Sequence, residues 1–528
     1  MKRFGSVWLM WLMVLGAVAG DSRGFEMVKG GRTVAAVYLL RGDGEPVAFS
    51  EKAAGDMVHS VFNPVEPLIL NAALHDLREY VKKMSGGELT FQYVDTIGEI
   101  PEKAIVVGRL AELCGVKIQA KNPHGEAFRI EADERRIYIA GGGKSGMGYG
   151  IYELLNRLGV EWLMPGELGD VYPETADLVF APAVIDEAPS FQMRSPWTTT
   201  WMRGKGEHEK FVHWQIRNKE QYNRYLTPQQ MKGHHLWHVF RDKKYDHYFE
   251  ENPEIAPLLH LPDGEVVRKR YQIDPTVPAA VQMVEDYIRE QFVSNQWAKD
   301  RYVIISIGPA DGGGFSESDS ALAVSNRIDP IIGERDRTDM MVQLANRLLE
   351  KLLPEYPNLH LGFYLYHCYQ DFPSRFKPHP NICLQVADIS YSRFHGMCDA
   401  AVSPQRAYYK QVLERWAAAG ATITMYHYNW NLADAIMPYS RLRIIGNDIP
   451  YEHRLGIHGY GCEYIMASSV NAPHDYLQAK LMWNAKGDWQ EITRHFCRKA
   501  YGDGAALMEK YYRLLCDRQA NSSDETGA

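Results

Sequence analysis

Residues 302–315 read YVIISIGPADGGGF. The stretch begins as a short apolar, β-branched run, the pattern of a buried strand. It ends in Pro309, an acid at Asp311 and three glycines, Gly312 to Gly314. A carboxylate on a glycine-rich turn just past a buried strand is an arrangement of α/β barrels, whose active sites are built from loops at the C-terminal strand ends. Asp-Gly is also ordinary turn chemistry. The surrounding chain decides between the two.

After a polar, proline-containing linker at 186–190 (DEAPS), short strand patterns alternate with amphipathic ones. Eight strand candidates follow, at 191–195, 235–240, 271–274, 303–307, 360–366, 382–387, 422–427 and 459–464. Helical spacing is clearest at 276–292, 339–353 and 404–419. Strands alternating with helices imply β/α units and a parallel sheet. Eight such units within 190–470 meet the requirement of a (β/α)8 barrel. Upstream, 25–185 reads as a small α/β domain, with strands at 33–40 and 104–108, a helix at 68–84 and a hairpin at 128–140. Downstream, 471–518 is helical and 519–528 is a polar tail.

The run GGGKSGMGYGIY at 141–152 places Gly141, Gly143 and Gly146 in a G-x-G-x-x-G pattern, with Glu161 20 residues past the first glycine. A dinucleotide site would want that spacing, but it would also want the glycines to open a βαβ unit. Here they follow a hairpin. The reading preferred is a tight strand-to-helix turn with close backbone packing.

At 528 residues the chain is too long for one ordinary core, so two or three domains are expected. A net charge of −8 without a long basic run argues against nucleic-acid binding. Residues 1–20 carry Lys2 and Arg3, an apolar stretch and an A-x-A site at Ala17–Ala19, which reads as a signal peptide and implies export without a membrane anchor. The seven cysteines are scattered with no C-x-x-C pair, and read as core-filling thiols.

A barrel should bring acids together at its C-terminal strand ends. Asp274, Asp311 with Glu317 and Asp319 behind it, Asp388 and Glu463 all fall there. So do Trp197, Trp201, Trp237, Tyr364, Tyr366, Tyr426, Tyr428, Trp430 and Tyr460. Carboxylates ringed by aromatics describe a glycosidase cleft, with two carboxyl groups for the proton and the oxocarbenium-like charge and rings to stack on sugar faces. Part of this aromatic set would equally serve as barrel core. The histidines in GHHLWH (233–238) lack the glutamate of H-E-x-x-H, so no metal is expected there, and His234 and His235 read as sugar-binding or structural. No cofactor is expected.

Several stretches resemble a known family. GGGKSGMGYGIYELLNRLGVEWLMPGELGDVYP resembles the end of the small α/β domain that precedes the barrel in β-hexosaminidases and α-glucuronidases. GHHLWHVF, YFEENPEIAPLL, SIGPADGGGF, GCEY and LQAKLMWNAKGDW resemble a bacterial barrel family described as a domain of unknown function. Some of its members are endo-β-N-acetylglucosaminidases of glycoside hydrolase family 163. The resemblance implies an exported hydrolase of N-acetylhexosamine-containing glycans. It implies Glu463 as general acid/base and Asp311 as the orienting or stabilising acid. From the strand-end reading, His234, His235, Trp237, Tyr366, Tyr428 and Trp430 are the residues expected on the substrate. The chain departs from related β-hexosaminidases in that Gly312, not glutamate, follows Asp311, and Ser316 and Ser318 stand where family members often carry cysteines.

Two other readings stay open. An α-glucuronidase-like hydrolase would need basic residues at the strand ends, and Arg194, Arg203 and Arg393 are available. A catalytically silent carbohydrate-binding barrel would keep the aromatics and not need the acids.

Overall fold

The computed structural model describes residues 24–50, 52–54, 66–198, 206–220, 235–430, 438–464 and 468–523. The expected signal peptide at 1–20, His234, Trp201 and Arg203 lie outside them.

The first part opens with Phe25–Lys29 (β1) and Arg32–Thr33 (β2), then Val37–Leu40 (β3), Glu66–Ser85 (α1), Phe91–Val94 (β4), Ala104–Val107 (β5) and Arg109–Leu113 (α2). The hairpin Phe128–Ala132 (β6) and Arg136–Gly141 (β7) leads into Lys144–Arg157 (α3). Glu161–Trp162 (β8), Asp170–Val171 (β9), Leu178–Phe180 (β10) and Ala183–Glu187 (β11) complete it. Its main sheet runs β11-β6-β7-β5-β3-β4, while β10-β1-β2 and β8-β9 form small ribbons. Strand alternation explains why β5 is apolar throughout. Ile105 and Val107 face the core under α1 and α3, and Ala104 and Val106 face Leu110 of α2 on the other side. The glycine run sits in the β7-to-α3 turn. A Cβ at Gly141 would lie 2.1 Å from the Met147 nitrogen, and one at Gly146 would lie 2.3 Å from the Ala127 oxygen. These glycines serve close backbone packing, as expected.

The second part holds Met193–Arg194 (β12), Trp197–Thr198 (β13), Glu207–Arg217 (α4), His235–Phe240 (α5), Asp246–Glu251 (α6), Leu258–His260 (β14), Val266–Arg268 (β15) and Pro278–Ser294 (α7). Then come Val303–Ser306 (β16), Asp319–Val324 (α8), Thr338–Leu352 (α9), Leu359–Leu365 (β17), Ile382–Ala387 (β18), Pro404–Ala418 (α10) and Thr422–Tyr428 (β19). Leu442–Arg454 (α11), Gly459–Tyr464 (β20), Ser468–Trp483 (α12), Trp489–Tyr501 (α13) and Ala505–Ala520 (α14) end it. Its sheet has the order β12-β20-β19-β18-β17-β16, with β13 also on β20, and its pairs are parallel. The result is a mixed α/β fold with a curled parallel half-barrel.

Six of the eight expected strands are present, at first, fourth, fifth, sixth, seventh and eighth positions. The second and third are not. Residues 235–240 form α5, because Leu236, Val239 and Phe240 recur at the helical spacing i, i+3, i+4 and all three are buried. Its Leu236 nitrogen donates to the Gly308 oxygen, at the end of β16 (3.1 Å). Residues 271–274 form no strand, because Gln272 spends its side chain on the neighbouring loop and Asp274 caps the turn into α7. Among the described residues, the sheet does not close into a ring.

The two parts share a core. Phe211 and Trp214 of α4, Tyr464 of β20 and Trp483 of α12 pack into the cluster that holds Phe128, Tyr149 and Trp162. Arg194 pairs with Glu126 across the boundary at 2.8 Å, both fully buried. No helix among the described residues is long and apolar enough to cross a membrane.

Candidate active site

Register decides which side chains share a face. Tyr364 of β17 is level with Gln385 of β18, Gln385 with Thr424 of β19, and Thr424 with Gly459 of β20. Two residues further on, Ala387, Tyr426 and Gly461 align, and then Tyr428 with Glu463. In a parallel sheet these partners point the same way. This face is therefore lined by glycine, threonine and glutamine low down and by tyrosines and Glu463 at the C-terminal ends. The other face carries Leu384, Val386, Ile423 and Met425, which pack with Leu413, Trp416, Ile445 and Ile449 of α10 and α11. The polar face is the concave one.

Glu463 is partly buried there. Burial pushes its carboxyl above the ordinary value, and the Tyr426 hydroxyl, which donates to Oε2 at 3.5 Å, opposes the rise. Tyr426 and Tyr428 stack with centroids 4.9 Å apart, and Tyr364 lies 6.1 Å from Tyr426. Burial also raises the Tyr428 hydroxyl, and both Glu463 and Tyr366 add to that rise. The tyrosine band thus connects the β20 end to the β17 end.

Asp311 lies at the other edge, exposed on the turn after β16. The Tyr366 hydroxyl bonds its carboxylate and is pushed up to about 12, by burial first and by Asp311 second. Gln272 clamps the turn. Its Nε2 donates to the Ala310 oxygen (2.9 Å), and its Oε1 accepts from the Ala310 nitrogen (2.8 Å). Tyr271 donates to the Asp311 oxygen at 2.5 Å. Gly312 and Gly314 have φ of +86° and +82°, where a side chain would be strained. The serines expected as departures are structural. Ser318 donates to Asp274 at 2.6 Å, and Ser316 accepts from the Leu258 nitrogen at 3.3 Å.

The remaining acids do not converge. Asp274 is buried and accepts from the Thr276 nitrogen (3.0 Å). Glu317 pairs with His260 at 3.1 Å, and Asp319 starts α8. Asp388 follows Ala387 and so falls on the outer face. There it is fully buried among His427 (3.3 Å), Arg406 (3.1 Å), Arg441 (3.4 Å) and Arg393 (3.5 Å). Against the penalty of burial, His427 and Arg441 hold its carboxyl far below the usual range. The cluster also fixes the end of β19, since Arg393 donates to the Tyr428 oxygen at 2.6 Å and to the Trp430 oxygen at 3.3 Å. Trp430 is itself buried. Tyr460 faces outward and stacks on His427 at 4.7 Å. His235 and Trp237 fall on α5, with their side chains outside the described set, as is that of Trp197.

Arg194 and Arg393 were available to receive a uronate. Both are buried and committed, Arg194 to Glu126 and to backbone oxygens, Arg393 to β19 and Asp388. Gln272 and Tyr271, which hold the Asp311 turn, are residues that the sequence did not signal, since their contacts lie some 40 residues away.

A family model described as a domain of unknown function (DUF4838) matches residues 164–513. No curated protein matches. Among solved structures, one similar to this chain is a glycoside hydrolase family 115 4-O-methyl-α-glucuronidase with specificity for decorated arabinogalactans, at TM-score 0.54 and 14% identity. The alignment covers 93% of this chain but only 62% of that protein's length. A family 89 glycoside hydrolase from Clostridium perfringens aligns at TM-score 0.47 and 12% identity, over 90% of this chain and 55% of that one. A family 20 exo-β-N-acetylglucosaminidase from Vibrio harveyi aligns at 0.40 and 11%, over 94% and 75%. The first of these likenesses bears on the fold.

Proposed function

The chain belongs to the DUF4838 family, and from that premise we propose that it is an exported glycoside hydrolase acting on N-acetylhexosamine-containing glycans. The observation that carries the reading is Glu463. It is a carboxyl raised by burial, set among tyrosines on the concave face at the C-terminal end of a parallel sheet. A carboxyl raised in this way keeps its proton to higher pH than an exposed one and can give it to a leaving glycosidic oxygen. The tyrosines supply flat faces and hydroxyls for a sugar.

In the mechanism, the acetamido oxygen of the substrate attacks the anomeric carbon as the glycosidic bond breaks. Glu463 delivers its proton to the departing oxygen. Asp311, oriented by Tyr366, accepts a hydrogen bond from the acetamido N–H. Water then attacks the anomeric carbon, Glu463 takes its proton, and the acetamido group is released. The resemblance to endo-β-N-acetylglucosaminidases of family 163 belongs to this proposal, as does export through residues 1–20. The commitment of Arg194 and Arg393 elsewhere weighs against a uronic acid at those positions.

The test is hydrolysis of a panel holding a complex N-glycoprotein, aryl β-N-acetylhexosaminides and glucuronoxylan oligosaccharides. Release from the first or second that Glu463→Gln and Asp311→Asn each abolish supports the assignment. Turnover of glucuronoxylan alone overturns the substrate class. Binding without turnover of any member overturns the enzyme.

A further inference from the structure

The turn after β17 and the loop before α9 bring together three donor atoms that the proposed chemistry leaves unused. His367 and Cys368 open the 3-10 turn His367–Tyr369, and Glu334 stands on the loop before α9. One ring nitrogen, the thiol sulfur and one carboxylate oxygen all lie within 4.8 Å of one another. The His367 ring is poorly satisfied. Its Nδ1 is buried with no hydrogen-bond partner among the described residues, and its Nε2 is 3.8 Å from Glu334 Oε1, too long for a hydrogen bond. His367 also has φ +50°, a left-handed conformation in a non-glycine residue. Such a conformation is strained and recurs at ligand clamps. Burial pushes the Cys368 thiol up to about 12, and the Arg337 guanidinium draws it back toward the thiolate.

Imidazole, thiol and carboxylate together match a divalent cation of borderline softness. We infer that Glu334, His367 and Cys368 bind such a cation, of the Zn2+ class, and leave its fourth position open. Tetrahedral bonds of roughly 2.0–2.3 Å set ligand atoms roughly 3.3–3.8 Å apart. Closing the site therefore asks for about 1 Å of movement, which the exposed Glu334 side chain provides by rotation. The bound ion replaces the thiol proton, which leaves to solvent. It also joins two loops of the candidate active site. His367 follows Tyr366, the partner of Asp311, and the Arg337 nitrogen already donates to the Cys368 oxygen at 2.6 Å. The cation is a fastener for the loop that orients Asp311.

The full chain, freed of metal by chelation, is titrated with Zn2+ by calorimetry and with Co2+ by absorption. One equivalent of each is expected, with the charge-transfer absorption of a Co2+–thiolate bond. Cys368→Ser removes that band, and Glu334→Gln weakens Zn2+ binding at least tenfold. Cys398→Ser, at an exposed thiol elsewhere, leaves the band in place. Binding tightens as pH rises from 6 to 8, because the thiol must give up its proton. Absence of stoichiometric binding overturns the inference, and so does a band or an affinity that both variants leave unchanged. If Cys368→Ser fails to fold, Glu334→Gln on its exposed side chain carries the test. No substrate enters these readouts, so the result stands apart from the glycosidase reading.

Discussion

Burial and the Tyr426 hydroxyl act on Glu463 in opposite directions, and the pH profile reports the balance. A general acid is active while protonated, so activity falls as pH rises through its pKa. Removing the hydroxyl in Tyr426→Phe takes away the lowering influence. The alkaline limb of kcat/KM is expected to move to higher pH, by up to about one unit for a neutral hydrogen bond. A limb that stays put, or moves down, removes Glu463 from the acid role. Glu463→Gln itself is expected to cost about 10²–10⁴ in kcat while the thermal midpoint barely moves. Gln272→Ala tests the other acid. It frees the Ala310 backbone and is expected to lower kcat about tenfold or more through a misplaced Asp311, with the fold intact by circular dichroism. Residue identity is partly legible from sequence alone. Asp311 and Glu463 stand out because each follows or ends an apolar β-branched or glycine-spaced run, and Tyr426, Tyr428 and Trp430 recur every second residue. Gln272 does not stand out, since nothing local distinguishes a clamping glutamine from a solvated one.

Strands and helices add constraints that no single residue shows. β18, β19 and α11 meet at His427, held between Asp388 (3.3 Å) and Glu452 (3.0 Å) in a fully buried site. Burial alone would lower the imidazole, yet the two carboxylates raise it to about 9. A histidine raised above its unfolded value stabilises the fold fully below about pH 6.5 and loses that contribution as pH rises through about 9. The difference is on the order of 3 kcal/mol. Asp448 nearby, raised to about 7 by burial, likewise loses its contribution as pH rises, but over the range up to about 7, so most of that change is complete before this window. Urea midpoints should therefore fall between pH 7 and pH 9 in the wild type. In His427→Gln they should start lower and run flatter, and parallel curves for the two proteins would show that His427 is neutral in the fold. The same elements show what sequence periodicity can carry. Strands with three or more apolar residues and buried partners, such as β5, β16 and β18, match their sequence patterns within a residue or two. The segment 235–240 does not, because a six-residue HLWHVF fits period two and period 3.6 almost equally and only tertiary burial of Leu236, Val239 and Phe240 decides.

At the scale of the whole chain, the question is whether the six-stranded sheet and the half-barrel unfold together. Chains of this length commonly unfold domain by domain. Here the boundary is built as core. Phe211, Trp214, Tyr464 and Trp483 from the second part fill the same cluster as Phe128 and Tyr149 from the first. Trp483 donates to Glu187 at 2.8 Å, and Tyr476 and His495 both meet Glu161 at 2.8 Å. Arg194 and Glu126 form an ion pair with no solvent contact on either side. Sequence alone leaves Arg194 available to a sugar carboxylate, because a lone arginine at a strand end looks the same whether its partner is a substrate or a glutamate 68 residues upstream. A shared core of this kind requires one transition. Urea unfolding followed by tryptophan fluorescence and by far-UV circular dichroism should coincide. Arg194→Met leaves Glu126 buried without its cation and should cost about 3–5 kcal/mol. The loss should appear in both signals equally, because destabilising the boundary destabilises both sheets. If fluorescence and circular dichroism separate in the variant, so that one sheet survives the other, the two parts are independent folding units and the boundary is a contact surface instead of a core.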